Sequence, residues 1–138
     1  SAAARAVEGA GIRTVWLQEF SGVDPFVRAA LYLQGTEQLV VALGVATIHA
    51  RDPEAMVAAA STLHEAFPGR FLLGLGASHR HIAEARGATY AKPLSAVRDY
   101  LHAMDRATGR RQRKRGRRSS RRAAQRRCRP CRRPGCRK

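Results

Sequence analysis

Three short runs, TVWLQEF (14–20), LVVALGVA (39–46) and RFLLGLG (70–76), are apolar almost without interruption and rich in branched or aromatic residues. Each is too short for an ordinary helix, and none alternates as a strand with one wet face would. They read as strands covered on both faces, which is the situation in a parallel sheet. Between them lie two helical patterns that open on the same dipeptide, Asp24-Pro25 and Asp52-Pro53. The Asp carboxylate caps free N–H groups of the first turn, and proline at the next position gives up no hydrogen bond there. Phe26, Ala30 and Leu33 share one face of the first helix, and Met56, Ala60, Leu63 and Phe67 one face of the second. Pro68-Gly69 then stops the second helix and turns the chain into the third strand.

AARAVEGAG (3–11) reads as the end of a helix with Ala3, Val7 and Ala10 inward and Gly11 as its stop. A further helix begins near Pro93, with Leu94, Val97, Leu101 and Met104 as its apolar stripe. Strands alternating with helices mean an α/β fold. A (β/α)8 barrel needs roughly 250 residues, and three strands cannot close one. The pattern is therefore a small open sheet or a part of a larger barrel. The start at Ser1 without an initiator Met, and the apolar strand edges, favour the barrel. The expected fold class is α/β, a partial (β/α)8 TIM barrel of about three βα units, followed by a basic tail. Trp16, Phe71 and the strand leucines are expected in its core.

Charge divides the chain at the same place. The 26 Lys and Arg outnumber the 10 Asp and Glu, for a formal charge of +16, but every acid lies between Glu8 and Asp105. Segment 1–108 is neutral, and 109–138 carries the whole excess. The expected organisation is a domain over 1–108 and an Arg-rich tail over 109–138. The tail contains no Leu, Ile, Val, Met or aromatic residue, cannot build a core, and is expected to be disordered. All three cysteines, Cys128, Cys131 and Cys136, fall in it. A domain free of cysteine, with no signal-peptide pattern and no run of about 20 apolar residues, is expected to be cytoplasmic and to have no membrane partner.

In barrels and open α/β sheets alike, ligands bind beyond the C-terminal ends of the strands. Those ends are QEFSG, ATIHARD and GASHRH, which bring Gln18, Glu19, Phe20, Thr47, His49, Ser78, His79 and His81 toward one mouth. A carboxylate, imidazoles and hydroxyls from three loops are the material of a polar active site. GLGAS places small residues directly after a buried strand, where a ring or phosphate can approach the backbone, but it lacks the G-x-G-x-x-G spacing of a dinucleotide fingerprint. His79 and His81 have no third ligand at usable spacing, and CRPCRRPGC (128–136) lacks a fourth, so no metal is expected.

The blocks GAGIRTVWLQEFSGVDPF, LVVALGVATIHARDPEAM and LHEAFPGRFLLGLGASH, in that order, resemble the luciferase-like monooxygenase family, closest to its actinobacterial branch of oxidoreductases that use coenzyme F420. The likeness runs from about Ala3 to Asp105. It implies a TIM barrel with a deazaflavin (F420), or alternatively FMN, across the mouth, hydride transfer to or from a small organic substrate, and a homodimer as in the family. It also implies a non-proline cis peptide at Gly44-Val45, and cofactor contacts from Gly44, Val45, Ala46 and Thr47 and from Gly76, Ala77, Ser78 and His79. Phe20 and His49 would face the substrate, and Glu19 would act by positioning or proton transfer. Gln18 stands where the family commonly has proline, and Thr47 where it commonly has asparagine. Nothing corresponds to the family's first strand or to strands five to eight, so the chain alone is expected to fold marginally and to have little or no activity.

The tail admits two accounts. On the first, it is expected to be the product of a frameshift or a misassigned gene end, because its composition is what a GC-rich gene yields when read out of phase. Alternatively the protein is a polyanion- or nucleic-acid-binding one that grips through its sixteen cations, without aromatic residues for base stacking. Removing residues 109–138 discriminates: on the binding account the chain loses all salt-sensitive affinity for duplex DNA, whereas on the oxidoreductase account it loses nothing catalytic. Gel-shift titrations across a salt series check this, and undiminished DNA binding by the shortened chain would contradict the binding account.

Overall fold

The structure is a computed structural model that describes residues 1–109. Apart from Gly109, the expected disordered tail and its frameshift or polyanion-binding origin fall outside the described residues. Helix α1 (Ala2–Gly9) leads through a turn at Gly11 (φ 80°) into β1 (Thr14–Leu17). Helix α2 (Pro25–Gln34) follows, capped by Asp24, whose Oδ1 accepts from the N–H groups of Phe26 (2.8 Å) and Val27 (3.1 Å). Next come β2 (Val40–Leu43), β3 (Ala46–Thr47) and α3 (Pro53–Ala66), capped by Asp52 through the Ala55 N–H at 2.9 Å. Both Asp-Pro pairs therefore start helices as expected, and a cap of this kind is worth about 1 kcal/mol. Strands β4 (Phe71–Leu72) and β5 (Leu75–Gly76) lead to α4 (Arg80–Ala85), and the chain is helical again over 93–109, called α5 here.

All strand pairing between named strands is parallel. Strands β1, β2 and β4 form one sheet in that order, and β3 pairs with β5. The alternation expected from the sequence is present, but two of the three expected strands are each divided. The run 39–46 breaks after Leu43, at a cis peptide between Gly44 and Val45, and 70–76 breaks at Leu73-Gly74. The first strand ends at Leu17, short of Phe20.

Among the described residues the outer strands β1 and β4 are covered on one face only, which corrects the expectation of burial on both, whereas Val41, Ala42 and Leu43 of the central β2 are buried on both faces as expected. Pleating sends Leu17, Val41, Leu43 and Phe71 to the side of α2 and α3. There they pack with Phe26, Leu33, Met56, Ala60 and Leu63. The register Trp16↔Ala42↔Leu72 puts those three on the opposite face, where Trp16 is 66% and Leu72 49% exposed. Phe71 is core as expected; Trp16 is not. Small shifts of helix face appear too. Ala4 rather than Ala3 is the buried residue of α1, and in α5 Tyr100 and Met104 pack on the core while Leu94 and Leu101 point outward. Helix α4 was not legible in GASHRHIAEAR.

The first helix is fastened at the N-terminal ends of the strands by one carboxylate. Glu8 accepts from three consecutive backbone N–H groups, those of Glu37, Gln38 and Leu39, with its closest contact 2.7 Å from Gln38. These bonds, the one from Gln38 foremost, hold the Glu8 carboxyl below its ordinary value against the opposing effect of desolvation.

Where β2 and β4 end, the two backbones touch. A β-carbon at Gly74 would run into the Leu43 carbonyl, a backbone atom that cannot swing away, whereas one at Gly9 would meet nothing within 4 Å. Gly74→Ala is therefore expected to destabilise the fold by about 1–3 kcal/mol. Gly9→Ala, inside a helix, should be neutral or slightly stabilising. Urea unfolding of both variants checks the contrast.

Candidate active site

Three loops meet beyond the C-terminal ends of the strands. The Glu19 side chain turns inward and is only 5% exposed. Its Oε2 accepts from the backbone N–H of Thr47 at 2.8 Å, and its Oε1 accepts from Arg51 Nη1 at 2.9 Å. Arg51 Nη2 donates to Asp24 Oδ2 at 2.8 Å, and the guanidinium lies over the Phe26 ring at 4.8 Å. Arg51 is itself 14% exposed at the side chain. Burial alone would lower its pKa, but hydrogen bonds and charge from Asp24 and Glu19 outweigh that and raise it. Asp24 shows the mirror balance: burial pushes its carboxyl up, and the hydrogen bonds from Arg51 and Val27 pull it below its usual value.

The remaining expected site residues are distributed as follows. Ala46 and Thr47 are buried and pair in register with Leu75 and Gly76, so the two loop origins lie side by side. Val45, half-exposed, sits against Gly76: a β-carbon there would lie 2.8 Å from Val45 Cγ2. A β-carbon at Gly44 would lie 2.8 Å from the Trp16 ring. Ser78 adopts a left-handed conformation (φ 61°), and its carbonyl accepts from the Tyr90 hydroxyl at 3.0 Å. The Tyr90 ring lies 6.3 Å from that of His49 and carries the Arg80 guanidinium at 5.3 Å. His79 is exposed and stacks on His81 at 5.9 Å. Ala77 is half-buried between Gly76 and Ser78. Phe20 stands apart, 61% exposed in a turn closed by its backbone bridge to Val23. Beside the mouth, Ser21, Gly22, His81, Ile82 and Arg86 line an open hollow of about 470 Å³.

Three residues here were not anticipated. Arg51 lies between a strand end and a helix cap, and its two acidic partners, Glu19 and Asp24, are distant in sequence, so no local signal marks the pairing. Tyr90 lies in the loop RGATYAKP with no periodic pattern to place it. Tyr100 was hidden in the helix after Pro93; its hydroxyl donates to the Arg51 carbonyl at 2.9 Å. Among the described residues, no three His, Cys, Asp or Glu side chains gather as a metal site would require, and no helix is long and apolar enough to cross a membrane.

The family model of the luciferase-like monooxygenases matches residues 1–134. The chain belongs to that family. Among curated relatives, a Mycobacterium tuberculosis protein assigned by name to the coenzyme F420-dependent oxidoreductases is 35% identical over 97 residues, 70% of this chain and 28% of that protein. Among solved structures, the fold is similar to the FMN-bound oxygenating constituent of 3,6-diketocamphane monooxygenase from a Pseudomonas putida plasmid (TM-score 0.68, 18% identity, 76% of this chain and 33% of that one). It is also similar to the coenzyme F420-dependent tetrahydromethanopterin reductase of Methanopyrus kandleri (TM-score 0.62, 16% identity, 71% and 33%). The chain thus spans about a third or less of the length of these relatives, and the likeness to both structures establishes its fold as that of luciferase-like barrels.

Tyr100 supplies a pH signature for the site's framework. Burial, with Asp52 adding to it, pushes its phenol up to about 12 from an ordinary 10.0. The folded state therefore holds this proton more tightly than the unfolded one. The resulting stabilisation is fully present below about pH 10 and is lost as pH rises through about 12. Alkaline unfolding curves should fall across that window, and Tyr100→Phe should flatten the fall while lowering stability at neutral pH by about 1 kcal/mol, the value of the lost hydrogen bond.

Proposed function

We propose that this chain contributes the cofactor wall of a coenzyme F420-dependent oxidoreductase, with FMN as the alternative cofactor, acting on a small organic substrate. The observation that carries this reading is the floor formed where β3 and β5 run in register. At its edge Gly44, Gly74 and Gly76 let neighbouring groups close in, since β-carbons there would collide with the Trp16 ring, the Leu43 carbonyl and the Val45 side chain. A flat ring laid across the C-terminal ends of the strands would rest on this closely packed floor of Val45 and the paired ends of β3 and β5. When bound, the cofactor supplies a ring carbon that gives or accepts a hydride.

The chain's own residues have simpler tasks. Val45 and Gly76 would support one side of the ring, while Ala46 and Thr47 would line it from the end of β3. Ala77, Ser78 and His79 would follow the cofactor's side chain out of the mouth. His49, held against Tyr90, and Phe20, open in its turn, would meet the substrate and keep water from it. Glu19 has both oxygens engaged by the chain itself, which favours a positioning role over proton transfer. The Arg-rich segment 109–138 would add sequence-blind attachment to polyanions without entering the chemistry.

Titration of the chain with F420 and, separately, with FMN tests the proposal through the fluorescence of each. Saturable quenching by the folded chain, with F420 preferred, is expected. An unchanged emission from both cofactors, with the chain shown to be folded by circular dichroism, would overturn it.

A further inference from the structure

Arg51 is turned toward the protein. Its two terminal nitrogens are committed to Glu19 and Asp24, its face lies on Phe26, and it is largely buried. The terminal nitrogens that would grip a substrate's carboxylate or phosphate, the usual reason for an arginine at such a mouth, face two of the chain's own carboxylates instead. The other end of the same contact is informative. Glu19 turns one oxygen to Arg51 and the other to the Thr47 N–H, so the guanidinium fixes which way the carboxylate points and, through it, where the end of β3 lies. Thr47 in turn is 3% exposed and in register with Gly76. The Arg51 carbonyl is held from α5 by Tyr100, which leaves the residue little freedom of its own.

We propose that Arg51 is a positioning residue of the mouth, acting through Glu19 on the backbone of Thr47 and on no ligand. This deepens the cofactor-wall reading and rests on it for its consequence in binding, but its mechanical part stands alone. A lysine in its place offers one ammonium group and cannot hold two carboxylates in fork geometry. A glutamine at position 19 has one acceptor oxygen where the carboxylate has two, so either the Arg51 or the Thr47 bond is given up.

Native-state hydrogen exchange at the Thr47 amide separates this role from a merely structural one. The reference is the Val41 amide, bonded to the Arg70 carbonyl at 2.9 Å in the main sheet, which reports global opening. In Arg51→Lys and in Glu19→Gln, exchange at Thr47 should accelerate by about tenfold or more relative to Val41, the effect of losing one charge-assisted bond. The double variant should add little to either single one. Asp24→Asn, which loosens the other arm of Arg51, should lower the melting temperature and leave the Thr47 to Val41 ratio near that of the parent chain. Equal acceleration at both amides, or none at Thr47, would overturn the proposal, and Glu19→Gln decides the matter if Arg51→Lys does not fold. In parallel, both variants should bind F420 about tenfold or more weakly. If the parent chain binds neither F420 nor FMN, the cofactor reading falls and the exchange result still decides the positioning role. If the parent binds and the variants bind equally well, the positioning role falls.

Discussion

One half-hidden ion pair organises the functional end of this molecule. Arg51 and Glu19 are both largely removed from water, and removing one member of such a pair costs about 3–5 kcal/mol because the other is left charged and buried. Further partners offset the desolvation of the pair: Asp24 on the second nitrogen, Phe26 under the guanidinium plane, Thr47 on the second carboxylate oxygen. The loop after β1, the start of α2 and the segment from β3 to α3 are thereby bound into one unit. The hydroxyl of Tyr100 brings α5 into it as well. Nothing in the hydrophobic core could do this, since apolar contact is non-directional and the loops lie beyond the strands that make the core.

Much of the fold was legible because it follows from short-range chemistry. Asp24-Pro25 and Asp52-Pro53 name helix starts through capping and φ restriction, and both start where expected. Gly11 and Gly69 take the positive φ that their turns demand. The apolar runs gave the strands and their parallel pairing. What the runs could not give is which residue faces which way. Trp16 is as apolar as Phe71, and only the side on which α2 and α3 pack makes one core and the other open. Nor could they show that 39–46 and 70–76 would each divide, at Gly44-Val45 and at Leu73-Gly74, since both runs stay apolar across the breaks.

The candidate site was legible in part. The strand-end rule brought the right loops together, and the family resemblance located the cis bond at Gly44-Val45, where the structure has it. It did not reveal that Glu19 is occupied by the chain's own donors, since the partner, Arg51, is distant in sequence and its side-chain direction is a tertiary fact. Tyr90 escaped for a similar reason. A tyrosine in a loop carries no periodic signal, and its bond to the Ser78 carbonyl exists only because the chain doubles back after α4.

The glycine floor has a consequence for how such a mouth can diversify. At Gly74 even a methyl group meets backbone, and at Gly44 and Gly76 it meets the side chains of Trp16 and Val45. Substitution there displaces the frame instead of reshaping the pocket. The exposed or half-exposed residues above, Phe20, His49, His79 and Tyr90, can change with far less disturbance below them. A chain built this way holds its bed constant and varies its walls, so new ligand preferences are accessible through loop changes that leave the folding of the strands alone.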